Sequence, residues 1–530
     1  MKILFVNPEF PVTYWGFQHT LSLVGKRVNL PPLGLVTVAA LLPRDWTLRL
    51  VDVNIRPLTD RDLAWADVVL TGGMRIQADS MHEILERARA AGRRTVVGGP
   101  APTTSPDDYP DADVVFCGEA EDRVDELVTA ISAKAPTHLV LCAADGCRPA
   151  MSISPLPRFD LLELKHYAVA GVQFSRGCPF TCEFCDIVEI FGHTPRVKSP
   201  AQIIAEIDAL YELGFHGPVF LVDDNFIGNK KAVRALLPEL ERWQREHRFP
   251  YELLTEASIN LAADDDLMAA MVRCGFNAVF IGIETPSVEA LAGAGKKQNL
   301  KLDLAAGVAR MTAAGLEVMG GFIVGFDEDD AQIFARQADF IAATPIPLAM
   351  VGLLTALPGT ALWRRLGTQG RLRSSGSGDQ FERPNFETVM DEETLLRGYA
   401  RLLAQIYAPT AYYDRCAAVL RQSPKTPGSR PVKFIDVIIL LKAVVRIGVF
   451  SRSRRHFWSL VFLSLRSKGR QIPWVISQAI KGEHLIRYTR KELLPRIRRT
   501  IVELQAAPSR ASLAVRTARA ARAPSLPMGA

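Results

Sequence analysis

The chain has 530 residues, 48% of them hydrophobic, and its 63 basic and 57 acidic residues leave a net charge of +6. This length predicts about three domains rather than one, with enough apolar material for sizeable cores. The first residues do not form a secretory signal, and we see no run of about 18 apolar residues that would span a membrane.

Residues 1–135 are predicted to form a doubly wound α/β sheet. Short apolar strands at 2–6, 47–53, 67–70, 94–97 and 113–116 alternate with helical patterns at 32–42, 58–65, 80–91 and 122–131. Such sheets bind ligands at the carboxyl ends of their strands. No G-x-G-x-x-G follows the first strand, which argues against a dinucleotide. Thr71-Gly72-Gly73 and Gly98-Gly99, which start 27 residues apart, end the third and fourth strands.

Residues 136–165 are predicted to be an irregular linker, and a cysteine cluster follows it. The stretch SRGCPFTCEFCD places Cys178, Cys182 and Cys185 in a C-x3-C-x2-C pattern. Thiolates select iron–sulfur, zinc or copper(I). A structural zinc site needs a fourth ligand, for which His193 is the only nearby candidate. Three ligands fit a cubane cluster with one open iron, and reduced thiols predict a cytoplasmic location.

Residues 166–372 are predicted to form a partial (β/α)6 barrel. Its six strands are expected at 170–175, 218–222, 251–255, 278–283, 317–324 and 349–354, with helices between them. Barrels of this kind carry their chemistry at the carboxyl ends of the strands. The cysteine cluster follows the first of these strands, so it is predicted to lie at the reactive end.

Residues 373–505 are predicted to be a basic helical domain, and 506–530 a disordered tail. From residue 421 onward there are 23 basic and 4 acidic residues, a balance of +19, whereas the first 420 residues have a balance of −13. The basic end favours an anionic partner such as a phospholipid surface, and a solvated helical surface is the alternative. The apolar run 434–450 contains Asp436, Lys442 and Arg446, which favours a position on a membrane surface over a span.

The cysteine pattern resembles the C-x3-C-x-aromatic-C motif of the radical S-adenosylmethionine superfamily, with Phe184 as the aromatic residue. The resemblance implies that the cysteines hold a [4Fe–4S] cluster, that the cluster binds S-adenosylmethionine, and that further residues contact this cofactor. VDDNF replaces the family's usual GGE, so loop or helix-cap roles are the alternative for the acidic residues. The implied contacts are Phe184, Asp223, Asp224, Glu256, Glu284 (in IGIETP), Gly321 and Gly325.

The first domain resembles cobalamin-binding domains, in which a hydroxyl residue and a Gly-Gly pair end neighbouring strands. The resemblance implies that Thr71, Gly72, Gly73, Gly98 and Gly99 lie beside the nucleotide tail of cobalamin. The family's D-x-H-x-x-G is absent, as is common in cobalamin-dependent radical enzymes. A related domain that holds no cofactor is the alternative.

Residues 2–491 therefore resemble cobalamin-binding radical S-adenosylmethionine proteins with a helical extension. VDDNFIGN, GIETP, GFIVGFD and ALPGT are similar to the hopanoid C-2 methylases and their uncharacterised relatives. This implies methylation of an unactivated carbon of a small hydrophobic molecule, with a hopanoid or similar lipid as one candidate. Oxidative cyclisation or rearrangement, and tRNA modification, are the alternatives.

The same resemblance implies a flavodoxin- or ferredoxin-like reductase as electron donor. The basic end adds peripheral contact with an anionic membrane at its inner face as a candidate. No recognised nucleic-acid motif accompanies the basic residues, which argues against a nucleic-acid partner. The sequence identifies no substrate-binding residue.

Overall fold

The structure, a computed structural model, describes residues 1–133, 138–143, 147–424, 434–466 and 471–506. The predicted disordered tail lies outside these residues except for Ala506, and so does part of the predicted linker. In the described part of the chain, no helix is both long and apolar enough to cross a membrane.

The first sheet has six parallel strands in the order β2-β1-β3-β4-β5-β6. They are β1 Lys2–Asn7, β2 Thr47–Asp52, β3 Val68–Gly72, β4 Arg94–Gly98, β5 Val114–Cys117 and β6 Leu139–Cys142. The accompanying helices are α1 Leu33–Leu41, α2 Asp60–Trp65, α3 Ala78–Ala90, α4 Pro100–Thr104 and α5 Val124–Ser132. Ile3 and Phe5 share a core with α1 and α5, whereas Leu4 and Val6 share one with α2 and α3. The two-sided packing confirms the doubly wound fold.

The sixth strand corrects the expected irregular linker. Val114 to Cys117 of β5 pair in parallel with Leu139 to Cys142 of β6. Three of the four β6 side chains are exposed. The strand therefore lies at the sheet edge without the alternating burial from which a half-buried strand is recognised in a sequence.

The second sheet is the predicted partial barrel, with six parallel strands in the order β14-β13-β12-β11-β10-β7. Its strands are β7 Ala170–Val172, β10 Val219–Leu221, β11 Leu253–Ala257, β12 Phe276–Glu284, β13 Glu317–Val324 and β14 Ala349–Leu353, and a hairpin of β8 Ser175–Arg176 with β9 Arg196–Val197 follows β7. The helices are α6 Ile187–Phe191, α7 Pro200–Glu212, α8 Lys230–Glu246, α9 Asp265–Arg273, α10 Val288–Gly293, α11 Leu304–Ala314 and α12 Ile333–Ala343. Asp264 caps α9 as its sequence position predicts, because its side chain accepts from the Leu267 amide.

The remaining chain is helical. Its elements are α13 Ala361–Thr368, α14 Glu392–Ile406, α15 Pro409–Gln422, α16 Phe434–Ala443, α17 Arg454–Arg466, α18 Ile472–Tyr488 and α19 Leu494–Ala506, with π-helical turns at Val444–Val449 and Thr489–Leu493. The hydroxyls of Tyr399 and Tyr407 donate to carbonyls of β14 at 2.8 and 2.6 Å. The Tyr14 hydroxyl, in the loop after β1, lies 2.6 Å from the Thr489 hydroxyl. The helical domain thus contacts both the barrel sheet and the loop after β1 of the first domain.

Candidate functional site

The cysteine loop begins at a glycine that the surrounding backbone requires. Gly177 has a φ of 94°, and a Cβ at this position would lie 2.8 Å from the Gly192 carbonyl oxygen. The Cys178 amide donates to that same oxygen at 3.2 Å. From there Cys178, Cys182 and Cys185 follow in one loop after the carboxyl end of the first barrel strand, and all three are partly exposed. The loop therefore occupies the predicted reactive end.

Polar groups surround the sulfur atoms of this loop. Asn225 Nδ2 lies 3.9 Å from the Cys178 Sγ, and Gln298 Nε2 lies 3.7 Å from the Cys182 Sγ. The backbone amides of Phe180 and Ile187 favour the thiolate forms, because they act to lower the pKa of Cys178 and of Cys185 respectively. Donors of this kind stabilise negative charge on sulfur, so the donor set fits an iron–sulfur cluster held by thiolates.

Burial raises the pKa of the Cys178 and Cys185 thiols. Binding of a metal would displace these thiol protons. Among the described residues, no three His, Cys, Asp or Glu side chains are arranged so that they could hold a metal ion as the chain stands. The assignment of the three cysteines as cluster ligands therefore stays a prediction.

Two of the predicted cofactor contacts hold the backbone that leads into the cysteine loop. Asp223 accepts hydrogen bonds from the amides of Phe174, at 3.2 Å, and Ser175. Asp224 accepts one from the Gly177 amide at 3.2 Å. Burial raises the pKa of Asp223 to about 7 and that of Asp224 to about 6. Both residues also line a large cavity whose wall contains residues of both sheets, the central cavity, and a direct cofactor contact stays a prediction for each.

Glu256, at the end of β11, lies near these carboxyls and lines the same cavity. Burial raises its pKa to about 8, and the neighbouring charges of Asp224 and Asp223 add to this effect. A protonated carboxyl can donate a hydrogen bond as well as accept one. Glu256 is therefore suited to bind a polar group that enters the cavity.

Glu284 lies at an irregularity in the barrel sheet. The pairing of β12 with β13 shifts between Gly282 and Glu284, and Glu284 itself has a φ of 64°. The side-chain amide of Asn299 donates to the carbonyls of Gly282 and Ile283 at 3.1 and 2.9 Å. These two hydrogen bonds stabilise the backbone at the register shift. Strained backbone of this kind is concentrated at functional sites.

The Glu284 carboxylate forms an ion pair with Lys296, and both groups are largely buried. The Lys296 Nζ lies 5.8 Å from the centroid of the Phe184 ring. The charges of the Cys182 and Cys185 thiolates would also stabilise this ammonium group. Glu284, Lys296 and Phe184 therefore form one cluster beside the cysteine loop.

The glycines of the fifth barrel strand serve the packing of the protein itself. A Cβ on Gly321 would lie 2.7 Å from the ring of Phe280. Gly325 has a φ of 105°, and its amide donates to Asp329 at 2.8 Å. Neither glycine lines the central cavity. Their predicted place beside adenine stays a prediction.

The glycines of the first domain meet at the carboxyl edge of its sheet. A Cβ on Gly72 would lie 2.7 Å from the Gly98 carbonyl oxygen, and one on Gly99 would lie 3.1 Å from the Gly73 nitrogen. The fully buried Thr71 hydroxyl donates to the Val6 carbonyl at 2.9 Å. All five residues line the central cavity. Close packing of β3 and β4 thus requires these glycines, and it leaves a sheet edge without large side chains.

One cavity of about 2310 Å³ joins the glycine edge of the first domain to Asp223, Asp224 and Glu256 at the barrel mouth, whereas the three cysteines and Glu284 do not line it. Pockets for drug-sized ligands have volumes of roughly 300–1,000 Å³, so this cavity has room for more than one large molecule. Its wall contains the glycine edge of the first domain, the carboxylates of the barrel mouth, and many apolar side chains. Among the apolar residues are Trp15, Phe220, Phe280, Met319 and Ile476.

A buried ion-pair network ties the first domain to the cysteine loop. Glu119 follows β5 and accepts from Arg176 Nη1 at 2.5 Å and from both terminal nitrogens of Arg196. Glu121 lies 2.8 Å from Arg176. Arg176 is two residues before Cys178, so the network connects the position of the loop to that of the first domain.

Sequence reasoning missed this network and the polar groups around sulfur. Glu119 and Arg176 are 57 residues apart in the chain, and no local pattern joins them. Likewise, no local sequence pattern indicates that Lys296 and Gln298 lie beside the cysteine loop. Asn225 follows Asp223 and Asp224 directly in VDDNF, at the end of a predicted strand. That position was the one indication in the sequence that its side chain would lie near the cysteine loop.

Comparison with known families accounts for all three parts of the chain. A model described as the B12 binding domain matches residues 27–128, and one described as the radical SAM superfamily matches 172–339. A domain of unknown function matches 360–495.

Relatives and a solved structure extend this result along most of the chain. An uncharacterised methyltransferase of Synechocystis sp. is 41% identical over 495 residues, 92% of each protein. A hopanoid C-2 methylase of Rhodopseudomonas palustris is 35% identical over 501 residues, 92% of this chain and 94% of its own. The fold is shared with OxsB, a cobalamin-dependent S-adenosylmethionine radical enzyme solved with aqua-cobalamin and S-adenosylmethionine bound. That likeness has a TM-score of 0.57 at 15% identity and covers 96% of this chain and 82% of OxsB.

Proposed function

This chain belongs to the cobalamin-binding radical S-adenosylmethionine proteins, and we propose that it methylates an unactivated carbon of a small hydrophobic, lipid-like molecule. It is a radical S-adenosylmethionine C-methyltransferase by family. Its cofactors are a [4Fe–4S] cluster, S-adenosylmethionine and cobalamin.

The observation that carries the substrate proposal is the apolar wall of the central cavity. Trp15 of the first domain packs against Phe280 of the barrel, with ring centroids 5.0 Å apart, and both line the cavity. An apolar wall between the glycine edge and the cysteine loop favours a substrate that buries hydrocarbon there. The hopanoid C-2 methylase at 35% identity supports a polycyclic lipid.

When bound, the three cofactors supply a radical that removes hydrogen from carbon and a methyl group that replaces it. The residues of the chain orient the cofactors and the substrate. We assign Cys178, Cys182 and Cys185 to the cluster, and Asp223 and Asp224 to the backbone that carries those cysteines. The apolar cavity wall would exclude water from the reacting carbon.

Two partners complete the proposal. A small flavodoxin- or ferredoxin-like reductase would supply electrons to the cluster. A lipid substrate also requires peripheral contact with a membrane. The basic carboxyl-terminal region favours contact with an anionic one.

The test is anaerobic reconstitution with iron, sulfide and hydroxocobalamin, followed by incubation with reductant, S-adenosylmethionine carrying a deuterated methyl group, and a bacterial polycyclic lipid. We expect mass spectrometry to detect lipid that has gained one labelled methyl group. A Cys182→Ala variant should give no labelled product.

The same measurement separates methylation from oxidative cyclisation. A lipid that loses hydrogen without gaining the label would replace our proposal with the cyclisation alternative. Consumption of S-adenosylmethionine with every lipid left unchanged would contradict the proposed substrate class.

A further inference from the structure

The segment Phe434–Arg466 exposes an unusual share of apolar surface. Of the 21 large hydrophobic side chains exposed in the described part of the chain, nine lie among these 33 residues. They are Ile435, Val437, Leu441, Val445, Val449, Phe450, Trp458, Phe462 and Leu465. Phe450 is the most exposed of them, at 74%. Contiguous apolar patches of this kind mark interaction sites.

The spacing of these residues forms two stripes. Val437, Leu441, Val445 and Val449 recur every four residues along α16 and its π-helical turn, and Trp458, Phe462 and Leu465 recur at helical spacing along α17. The Trp458 indole packs on Gly448 and donates to its carbonyl at 3.0 Å. The rings of Trp458 and Phe462 are 6.2 Å apart. We call the exposed apolar side chains from Leu441 to Leu465 the docking face, and Val437 lies next to it.

The charge around the docking face is strongly positive. The segment 434–466 contains six basic residues and one acidic residue, Asp436. All six basic side chains are exposed: Lys442, Arg446, Arg452, Arg454, Arg455 and Arg466. Aliphatic and aromatic side chains flanked by arginine are typical of helices that lie in the interface of an anionic membrane. A nucleic-acid partner would leave the aliphatic side chains without an apolar environment.

The central cavity opens beside the docking face. Ile435 and Val437 are exposed, and both also belong to the cavity wall. Ile439 and Leu440 of the same helix line the cavity, as does Trp474 of α18. The helix α16 therefore presents residues both to the outside and to the cavity, and an apolar path joins the two.

We propose that the docking face seats the protein on an anionic phospholipid bilayer, and that lipid enters the central cavity through the opening beside Ile435 and Val437. The first part stands on the surface alone. The second part rests on the proposed lipid substrate. The basic residues bind headgroups while Phe450, Trp458 and Phe462 enter the acyl boundary.

The first test is flotation of the full-length chain with vesicles of phosphatidylcholine containing one third phosphatidylglycerol. We expect the chain to bind these vesicles, and to bind vesicles of pure phosphatidylcholine more weakly. The double variant Phe450→Ser, Phe462→Ser should bind roughly tenfold or more weakly, since each phenylalanine loses its burial in lipid. The matched control is Val288→Ser, Val389→Ser, which changes two side chains exposed by 62% and 65% outside the docking face. The control should bind as the native chain does.

Native-level binding by the phenylalanine double variant would overturn the docking proposal. Sedimentation of both proteins without lipid tests a second copy as the occupant. A native dimer that the double variant converts to monomer would assign the face to self-association and would also overturn the proposal.

The second test concerns the opening. Val437→Trp should lower turnover of a vesicle-embedded lipid several-fold but leave vesicle binding unchanged. Val502→Trp is the matched control, because Val502 of α19 is exposed outside the docking face and does not line the cavity. Equal turnover by the two variants would overturn the entry path. Absence of product from both vesicle and detergent-dispersed lipid, with vesicle binding intact, would instead contradict the proposed function.

Discussion

Glu119 of the first domain accepts two hydrogen bonds from Arg196 of the barrel hairpin, at 2.7 and 3.1 Å. The side chains are 3% and 15% exposed, so the pair is shielded from water. Arg176 shares the same carboxylate. One buried charge thus fixes the first domain against the segment that precedes the cysteine loop.

Replacement of this carboxylate should destabilise the protein. Glu119→Gln leaves the largely buried Arg196 guanidinium without its carboxylate partner and Arg176 with Glu121 alone, and we expect a loss of about 2 kcal/mol or more in the free energy of unfolding. Chemical denaturation followed by tryptophan fluorescence measures it. The control is Asp265→Asn, which breaks an exposed pair with Arg310 and should cost less than about 1 kcal/mol. Equal losses in the two variants would contradict the assigned role of the network.

The three clustered cysteines should each be required for iron. Alanine at Cys178, Cys182 or Cys185 removes one thiolate, so we expect iron and sulfide after anaerobic reconstitution to fall to near background. Colorimetric iron analysis and the absorption spectrum measure this. Cys147→Ser changes an exposed cysteine outside the loop and should retain the native iron content. A full iron complement in any of the three alanine variants would remove that cysteine from the ligand set.

Glu284 should contribute to binding of S-adenosylmethionine. Glu284→Gln keeps the shape of the side chain but removes its charge, and a charged hydrogen bond accounts for about 1.5–3 kcal/mol. We therefore expect binding to weaken by roughly tenfold or more, with the iron content unchanged. Anaerobic equilibrium dialysis gives the affinity. Glu289→Gln changes an exposed carboxylate five residues along the chain and should bind normally. Unchanged affinity of Glu284→Gln for S-adenosylmethionine would show that Glu284 pairs with Lys296 but does not contribute to binding of this cofactor.

Acid should weaken the contact between the helical domain and the loop after β1. Burial lowers the pKa of His484 from 6.5 to about 4, and its Nε2 lies 2.9 Å from the Thr13 carbonyl oxygen. The unfolded chain therefore binds a proton at higher pH than the folded chain does. The stabilisation is complete above pH of about 6.5 and declines as the pH falls toward about 4, by up to about 3 kcal/mol.

Thermal unfolding across this pH range measures the effect. His484→Phe removes the titrating group, so its unfolding temperature should depend less on pH than that of the native chain. Parallel curves for the native chain and His484→Phe would exclude His484 as the cause.

The order of the domains and the place of the cysteine loop could be predicted because they depend on local signals. Runs of apolar strand residues alternate with helical periodicity throughout residues 1–372, and this pattern determines a parallel sheet. The strand β6 was not predicted, because most of its side chains are exposed and its sequence shows no alternation of apolar and polar residues. The glycines of the first domain were identified by resemblance, but the structure adds a packing reason, the approach of Gly72 to the Gly98 carbonyl.

The parts of the site that could not be predicted join distant segments. Glu119 reaches Arg176 and Gln298 reaches Cys182 across 57 and 116 residues. Such contacts depend on how two sheets and their loops pack, and that packing has no periodic signature. The sequence indicated a membrane-surface position for the apolar run 434–450, but it did not identify the exposed side chains of the docking face, because the exposure of each side chain depends on which neighbours cover it.

The contact of Tyr14 with Thr489 bridges 475 residues of chain. During synthesis the first domain and the barrel emerge well before α18, so the loop after β1 can pack on Phe280 through Trp15 long before Thr489 is available to Tyr14. The contact between this loop and the end of α18 is therefore the last one that the loop can form. A chain that ends before α18 would leave the Tyr14 ring without Tyr488 and Thr489, and the loop after β1 would be held from the barrel side alone.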